Sequence, residues 1–289
     1  MSSFQRVIKY IGIAFAIVLM IGIIGGAFTI IFGVKSFSMN ENGTTSSSSK
    51  ETTVSATSKV YEFDEFTSID ITSGVADVEV RFGDGYQVET KDVPKTIEVE
   101  VRSNGKLVVL VKGEKTGFLD WLDGSKWNKN SKITITVPEG YKASEVSISG
   151  GVGDVSIYDL SMEKLTVDGG VGDIKGKNIV ADKVTVDGGV GSIQFDHVEF
   201  GTCDIDSGVG DVTVSGVING DSEFSGGVGD MDLDIEGSRE NYSLNIDGGI
   251  GSVRVNGQKI ANLDENTSGK KVMTVESGIG SISIKFTQD

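Results

Sequence analysis

One cysteine, one histidine and two prolines in 289 residues exclude several common chemistries. A lone Cys203 cannot close an internal disulfide, and no Cys/His set for a structural zinc site can be assembled around it. A lone His197 removes most histidine-based acid–base catalysis. Basic residues are also scarce, 26 against 42 acidic, and the resulting net charge of −16 argues against nucleic acid as a partner. The shortage of proline and the lack of a Gly-X-Y period exclude collagen, although glycine is abundant at 40 residues.

One long apolar run is present. Between Tyr10 and Val34 no side chain is charged, and 25 residues at about 1.5 Å each span roughly 37 Å, enough to cross a bilayer with some tilt. Arg6 and Lys9 precede the run closely, so the positive-inside rule puts the N-terminus in the cytoplasm and the bulk of the chain outside. A cleaved signal peptide is the competing reading, with Gly25-Gly26-Ala27 as the small-residue site. The apolar run continues through Phe28–Phe32, too long for a signal core, so an uncleaved anchor is expected. From Gly43 to Ser58, 11 of 16 residues are Ser or Thr, the composition of a flexible tether. The expected organisation is a cytoplasmic stub and transmembrane helix (1–35), a linker (36–59), a β section with hairpins (60–144) and a repeat region (145–289).

The repeat region is built on GGVGD(V/I), GGVGS(I), SGVGD and related hexads. Their central residues are Val152, Val171, Val190, Val209, Val228, Ile250 and Ile279, spaced 19, 19, 19, 19, 22 and 29 apart. A diverged copy, Ser73-Gly74-Val75-Ala76-Asp77-Val78, lies upstream. Apolar residues fall in columns six and four positions before each centre (Leu165 and Val167, for example) and three and five after it (Ile193 and Phe195). Steps of two are strand periodicity, and the odd step between the halves marks a corner. These signals predict an all-β fold: a single-stranded, right-handed parallel β-solenoid (β-helix) with ~19-residue coils, its apolar columns pointing inward. The corner glycines Gly151, Gly170, Gly189, Gly208, Gly227, Gly249 and Gly278 are expected where φ is positive or clearance is tight. No helix follows GGVGD, so the motif is not a dinucleotide-binding loop. Upstream, Ile97–Val111 is expected to form a hairpin with a type I′ turn at Asn104-Gly105, and Ile133–Val137 a strand closed by Pro138-Glu139-Gly140.

The anchor, the strand Asp77-Val78-Glu79-Val80, the turn Gly83-Asp84-Gly85-Tyr86, the strand Ile133–Val137 with Pro138, and the GGVGD(V/I) coils together resemble the bacterial "putative adhesin" family of β-strand-repeat domains of unknown function. The resemblance covers roughly residues 60–289. It implies a β-helical fold in a cell-envelope protein and supplies no catalytic residue.

Stacked coils turn equivalent side chains into ladders. Asp154, Asp173, Asp211 and Asp230 form one acidic column, with Asp168, Asp187 and Asp206 in another. Unit charges ~4.8 Å apart repel by about 0.9 kcal/mol at water's dielectric and about 3.5 kcal/mol at an effective dielectric of 20. Calcium would relieve this, which makes the first column a candidate cation site. The Asp spacing differs from the calcium-binding nonapeptide, and solvated aspartates capping turns are the plainer reading. Cys203 and His197 suggest a nucleophile and base, but Cys203 falls in an inward column and is expected as a buried thiol. Neither catalytic nor cofactor-binding residues are therefore assigned. The loop 117–127 holds Phe118, Trp121 and Trp127 and is the candidate contact loop. The expected role is a membrane-anchored, extracytoplasmic, non-enzymatic binding or scaffold module of the envelope, with an envelope protein or wall or surface polymer as partner. The alternatives are a carbohydrate-active β-helix enzyme and a solenoid that self-associates end to end.

Overall fold

Three long strands carry the repeat: Val155–Asp168, Ile174–Asp187 and Ile193–Val209. Their alternating Val, Ile and Thr suit a pleated surface buried on one side. In the computed structural model each pairs in parallel with the next at the sequence period, Val155 opposite Ile174 and Asp168 opposite Asp187, then Ile174 opposite Ile193. The structure describes residues 50–55, 58–93, 97–111, 130–260, 263–264 and 269–288. The expected transmembrane segment and the loop with Phe118, Trp121 and Trp127 lie outside them. Among the described residues, no helix is long and apolar enough to cross a membrane.

Each coil turns its side chains inward in three short runs. In the strand Val155–Asp168 the buried pairs are Val155 and Ile157, Leu160 and Met162, and Leu165 and Val167. The alternation breaks twice. At Asp159 the backbone enters the left-handed region (φ 54°), and Glu163 and Lys164 both face solvent in succession. Asn178 and His197 repeat the first break, with φ 54° and 53°. The glycine corner is therefore one of several bends in a coil, and Leu160, Met162, Ile179 and Phe200 join the core beside the columns read from sequence. Packing is complementary between coils. Phe195 is fully buried edge-on to Phe200 (5.5 Å), and the equivalent position one coil earlier is Gly176, where a Cβ would come within 2.4 Å of the Phe195 ring.

The coils do not all stack in chain order, which corrects the sequential arrangement expected from the repeat. Near the C-terminus the last coil lies between its two predecessors. Lys271–Ile279 pairs in parallel with Ser222–Val228 on one side and Tyr242–Asp247 on the other. Ile282–Gln288 is likewise flanked by Met231–Ser238 and Val253–Val255. The N-terminal end mirrors this. Ser68–Thr72 lies between Lys106–Val111 and Lys142–Ser149, and Asp77–Phe82 between Lys132–Val137 and Val155–Asp168. The longer spacings, 22 and 29, mark where the chain passes a coil position and later returns to fill it.

Antiparallel strands close both ends. Ile97–Val101 covers Lys106–Val111, and Tyr86–Lys91 covers Lys132–Val137, itself followed outward by Ser58–Phe63 and Lys50–Ser55. At the other end Gln258–Ile260 pairs with Val253–Val255, and Leu263–Asp264 with Tyr242–Asp247. This protects the parallel edges that an open solenoid would leave bare. The 97–111 hairpin forms, but its turn differs from expectation. Only Gly105 has positive φ (77°), whereas a type I′ turn needs two such residues, and Arg102 and Lys106 close a three-residue loop by the Arg102 N–H to Lys106 O bond (2.9 Å).

Candidate functional site

The glycine corner is the most regular surface of the molecule. Gly170 and Gly172 adopt φ 66° and 148°, conformations open to glycine. Clearance is as strict as conformation: a Cβ on Gly172 would sit 2.1 Å from the Gly153 carbonyl oxygen, and one on Gly170 2.4 Å from that of Gly151. The expected corner residues Gly151, Gly189, Gly208, Gly227, Gly249 and Gly278 all face a neighbouring carbonyl at 2.2–2.6 Å in the same sense. Hydrogen bonding continues around the bend, with the Val171 N–H donating to Gly151 O and the Gly172 N–H to Val190 O, both 2.9 Å.

The residue between these glycines points outward. Val75, Val152, Val171, Val190 and Val209 are bridged in succession, Val209 pairs with Val228, Val228 with Ile279, and Ile279 with Ile250. This row of eight aliphatic side chains is about 34 Å long at ~4.8 Å per step. Val171 is 43% exposed, Val190 38%, Val228 39%, Ile279 38% and Ile250 60%. The sequence repeat located these residues without showing which way they face.

Acidic rows flank the ridge. Three positions before five of the eight centres stand Asp168, Asp187, Asp206, Glu276 and Asp247, all exposed; Thr72, Ser149 and Ser225 occupy the other three. Burial raises the Asp168 carboxyl above its ordinary range, with Asp187 adding to the rise, while a hydrogen bond from Gly170 opposes it. Asp206 is raised by burial, then by Asp187 and Asp204, against a hydrogen bond from Ser207. Among the described residues, no lysine or arginine pairs with Asp168, Asp187 or Asp206.

Two positions after each centre lies the calcium-candidate column, whose role is visible in its hydrogen bonds. The Asp154 N–H donates to Asp77 Oδ1, Asp173 N–H to Asp154 Oδ1, and Asp230 N–H to Asp211 Oδ1, each at 2.9 Å. Ser192 and Ser281 donate to Asp173 and Asp230 in the same way, at 3.1 and 2.8 Å. Each carboxylate thus fastens its coil to the next. The Ser192 amide, followed by Lys175, holds the Asp173 carboxyl below its usual range. Asp230 neighbours Ser281 rather than Ser252, as the inserted last coil requires, and Ser252 Oγ lies 3.2 Å beyond, on Ser281 Oγ. Among the described residues, no group of three or more His, Cys, Asp or Glu side chains is placed to hold a metal ion.

Cys203 is buried in the column with Leu165 and Val184, and burial, then Asp204, pushes its thiol up to about 12. His197 stands on the outer bend with its Nδ1 2.9 Å from Asp196 Oδ1. One is inside the wall and the other outside it.

Two features escaped the sequence reading. The column Asp159, Asn178, His197, Gly216, spaced 19 apart, contains only residues that tolerate positive φ, and it marks the second bend. The other is an aromatic cluster near the N-terminal end, where Phe66 meets Tyr86 at 5.0 Å, Tyr141 at 5.8 Å and Phe63 at 6.3 Å. No spacing signal links those residues.

Residues 66–288 match the family model described as Toastrack DUF4097. The chain belongs to that family. The match bears out the resemblance to a β-strand-repeat domain of unknown function. The chain is also similar to several solved structures. One is a "putative cell adhesion protein" from Clostridium sporogenes, 20% identical over 83% of this chain and 100% of that one, with a TM-score of 0.38. Another is a "putative adhesin" from Bacteroides fragilis, 19% identical over 78% and 95%, TM-score 0.44. A third is a "putative lipid binding protein" from Parabacteroides distasonis, 14% identical over 78% and 96%, TM-score 0.39. No curated protein matches the chain significantly.

Proposed function

We propose that this Toastrack domain is a non-enzymatic binding module of the cell envelope, held outside the membrane by the segment Tyr10–Val34. The observation that carries the reading is the exposed aliphatic ridge. One Val or Ile per coil is presented at a corner hydrogen-bonded to the coils on either side, its flanking glycines packed too closely against the neighbouring coil to admit a Cβ. Exposed apolar surface in an ordered row marks contact with another molecule. The acidic surface adds to the argument. Between residues 145 and 289 there are 25 acidic and 10 basic side chains, which repel anionic lipid and hold the domain off the bilayer. The expected linker is shortened at its far end, because Lys50–Ser55 is already a strand of the sheet; the 14 residues 36–49, taken as a random coil, give the domain a reach of about 21 Å. An envelope protein at that distance is the partner favoured over a host surface beyond a thick wall.

Protease treatment of intact protoplasts carrying the full chain tests this placement. Removal of the domain with retention of a short membrane-bound stub is the expected result. Full protection of the domain, or its recovery in the cytosolic fraction, overturns it. Sugar release from wall polysaccharide by the purified full chain would instead establish the enzyme alternative.

A further inference from the structure

We infer that the ridge receives a cationic amphipathic helix of a partner polypeptide, laid along the solenoid axis with its apolar stripe on the Val/Ile row. The inference rests on the binding-module reading and names the class of its partner. The row is apolar along its whole length and one side chain wide, because the positions on either side of each centre are glycine in every coil from Val152 to Ile279. Beyond those glycines lie carboxylates in most coils, with Asp168, Asp187 and Asp206 on one flank and Asp154, Asp173, Asp211 and Asp230 on the other, serines filling the remaining positions and Lys175 pairing with Asp173 at 3.1 Å. The first flank is the uncompensated one: its carboxyls sit against one another, with no described cation as partner. An apolar stripe bordered by lysines or arginines therefore complements the surface in both polarity and charge.

The same pattern disfavours the other occupants. A second copy placed ridge to ridge would press acidic rows together, and anionic lipid or wall polymer would meet them with like charge. A neutral glycan would find no aromatic ring on this row to stack against, since the row is entirely Val and Ile. Dimensions favour a helix over a strand. A helix turn advances 5.4 Å, close to the ~4.8 Å between coils, whereas same-side residues of a strand are about 6.7 Å apart. A helix of about 22 residues spans the ~34 Å row.

Val190→Cys offers a reporter, because Cys203 is buried with a raised thiol pKa and will not compete for label. The full chain carrying an environment-sensitive fluorophore at position 190, in neutral-lipid nanodiscs, is titrated with a 22-residue Leu/Lys peptide patterned as an amphipathic helix. A scrambled peptide of identical composition serves as control. Saturable binding of the patterned peptide, at least tenfold tighter than the scrambled one, is expected. Affinity should fall about tenfold in the combined Asp168→Asn, Asp187→Asn, Asp206→Asn variant and at 0.5 M salt. A comparable loss is expected in the combined Val171→Thr, Val228→Thr variant. All these sites are exposed, and an unchanged melting temperature for the Val171→Thr, Val228→Thr pair confirms that the fold is kept.

Equal binding of the scrambled peptide, or unchanged affinity in either variant, overturns the inference. A fluorophore shift produced by anionic vesicles alone, or by raising the protein concentration alone, assigns the row to lipid or to a second copy and also overturns it. Protease shaving of protoplasts is scored separately. A domain that is extracytoplasmic but ignores the peptide leaves the envelope reading standing and removes only this partner.

Discussion

At Gly170 two demands coincide, a left-handed backbone and a carbonyl 2.4 Å from where a Cβ would lie. Gly170→Val should therefore cost more than about 2 kcal/mol, read as a lowered urea midpoint, while Lys175→Ala on the same coil should change it by less than about 0.5 kcal/mol. Phe195 presents the opposite case, a large side chain completely enclosed beside a glycine. Phe195→Ala leaves a void that Gly176 cannot fill, and a loss of about 3–5 kcal/mol is expected in the same measurement. The residue scale was unevenly legible. Corner glycines announced themselves by repetition, and the burial of Cys203 followed from its column. The left-handed column of Asp159, Asn178 and His197 was equally periodic. It passed unread because three different residue types satisfy the same backbone requirement.

At the scale of the strand, Asp173 and Asp206, on opposite sides of the glycine corner, have opposite energetics. Asp173 accepts a backbone amide and a lysine, so its folded-state pKa is depressed. It contributes stability above its unfolded pKa and loses it as pH falls through the lower folded value. Asp206 is raised, so its charged form costs the folded state stability at neutral pH, and protonation relieves that cost as pH falls through the raised value. Asp206→Asn should thus raise the melting temperature at pH 7 by about 1–2 °C, small because the group is exposed, and the gain should vanish at pH 3. Asp173→Asn should instead lower it at pH 7, with the difference again closing in acid. Calorimetry of the four combinations checks both signs. Sequence placed these aspartates in register, but it could not distinguish a carboxylate aimed at a neighbouring amide from one facing its own kind. The distinction depends on which side of the glycine corner each row occupies.

At the scale of the whole molecule, the interleaved ends decide how the repeat unfolds. A solenoid stacked in chain order would fray from its last coil inward, each coil depending only on its neighbours. Here the last coil is hydrogen-bonded on both sides, so its removal leaves Ser222–Val228 and Tyr242–Asp247 without the strand that both pair with. A chain ending at residue 268 should lose amide protection in both Ser222–Val228 and Tyr242–Asp247, while Val155–Asp168 and Ile174–Asp187 keep theirs. Hydrogen exchange read segment by segment checks this. Retained protection of Ser222–Val228 and Tyr242–Asp247 would indicate sequential stacking instead. The antiparallel strands at both ends also bear on end-to-end self-association, because they pair the outer parallel strands at the N-terminal end and, at the C-terminal end, Val253–Val255 and the residues Asn245 and Ile246 of Tyr242–Asp247.

The sequence by itself determined the repeat, the parallel register, the glycine corner and most of the inward columns. A 19-residue period places equivalent residues opposite one another, and side-chain alternation within a strand is local. Tertiary structure alone decided which coils are neighbours once the spacing departs from that period. It also decided that the central Val and Ile of each corner face outward, beside columns in which aspartate and glutamate alternate with serine. Neighbour choice depends on how the returning chain closes the remaining edges, and facing direction depends on a bend whose glycines leave room for a side chain only on the outer side.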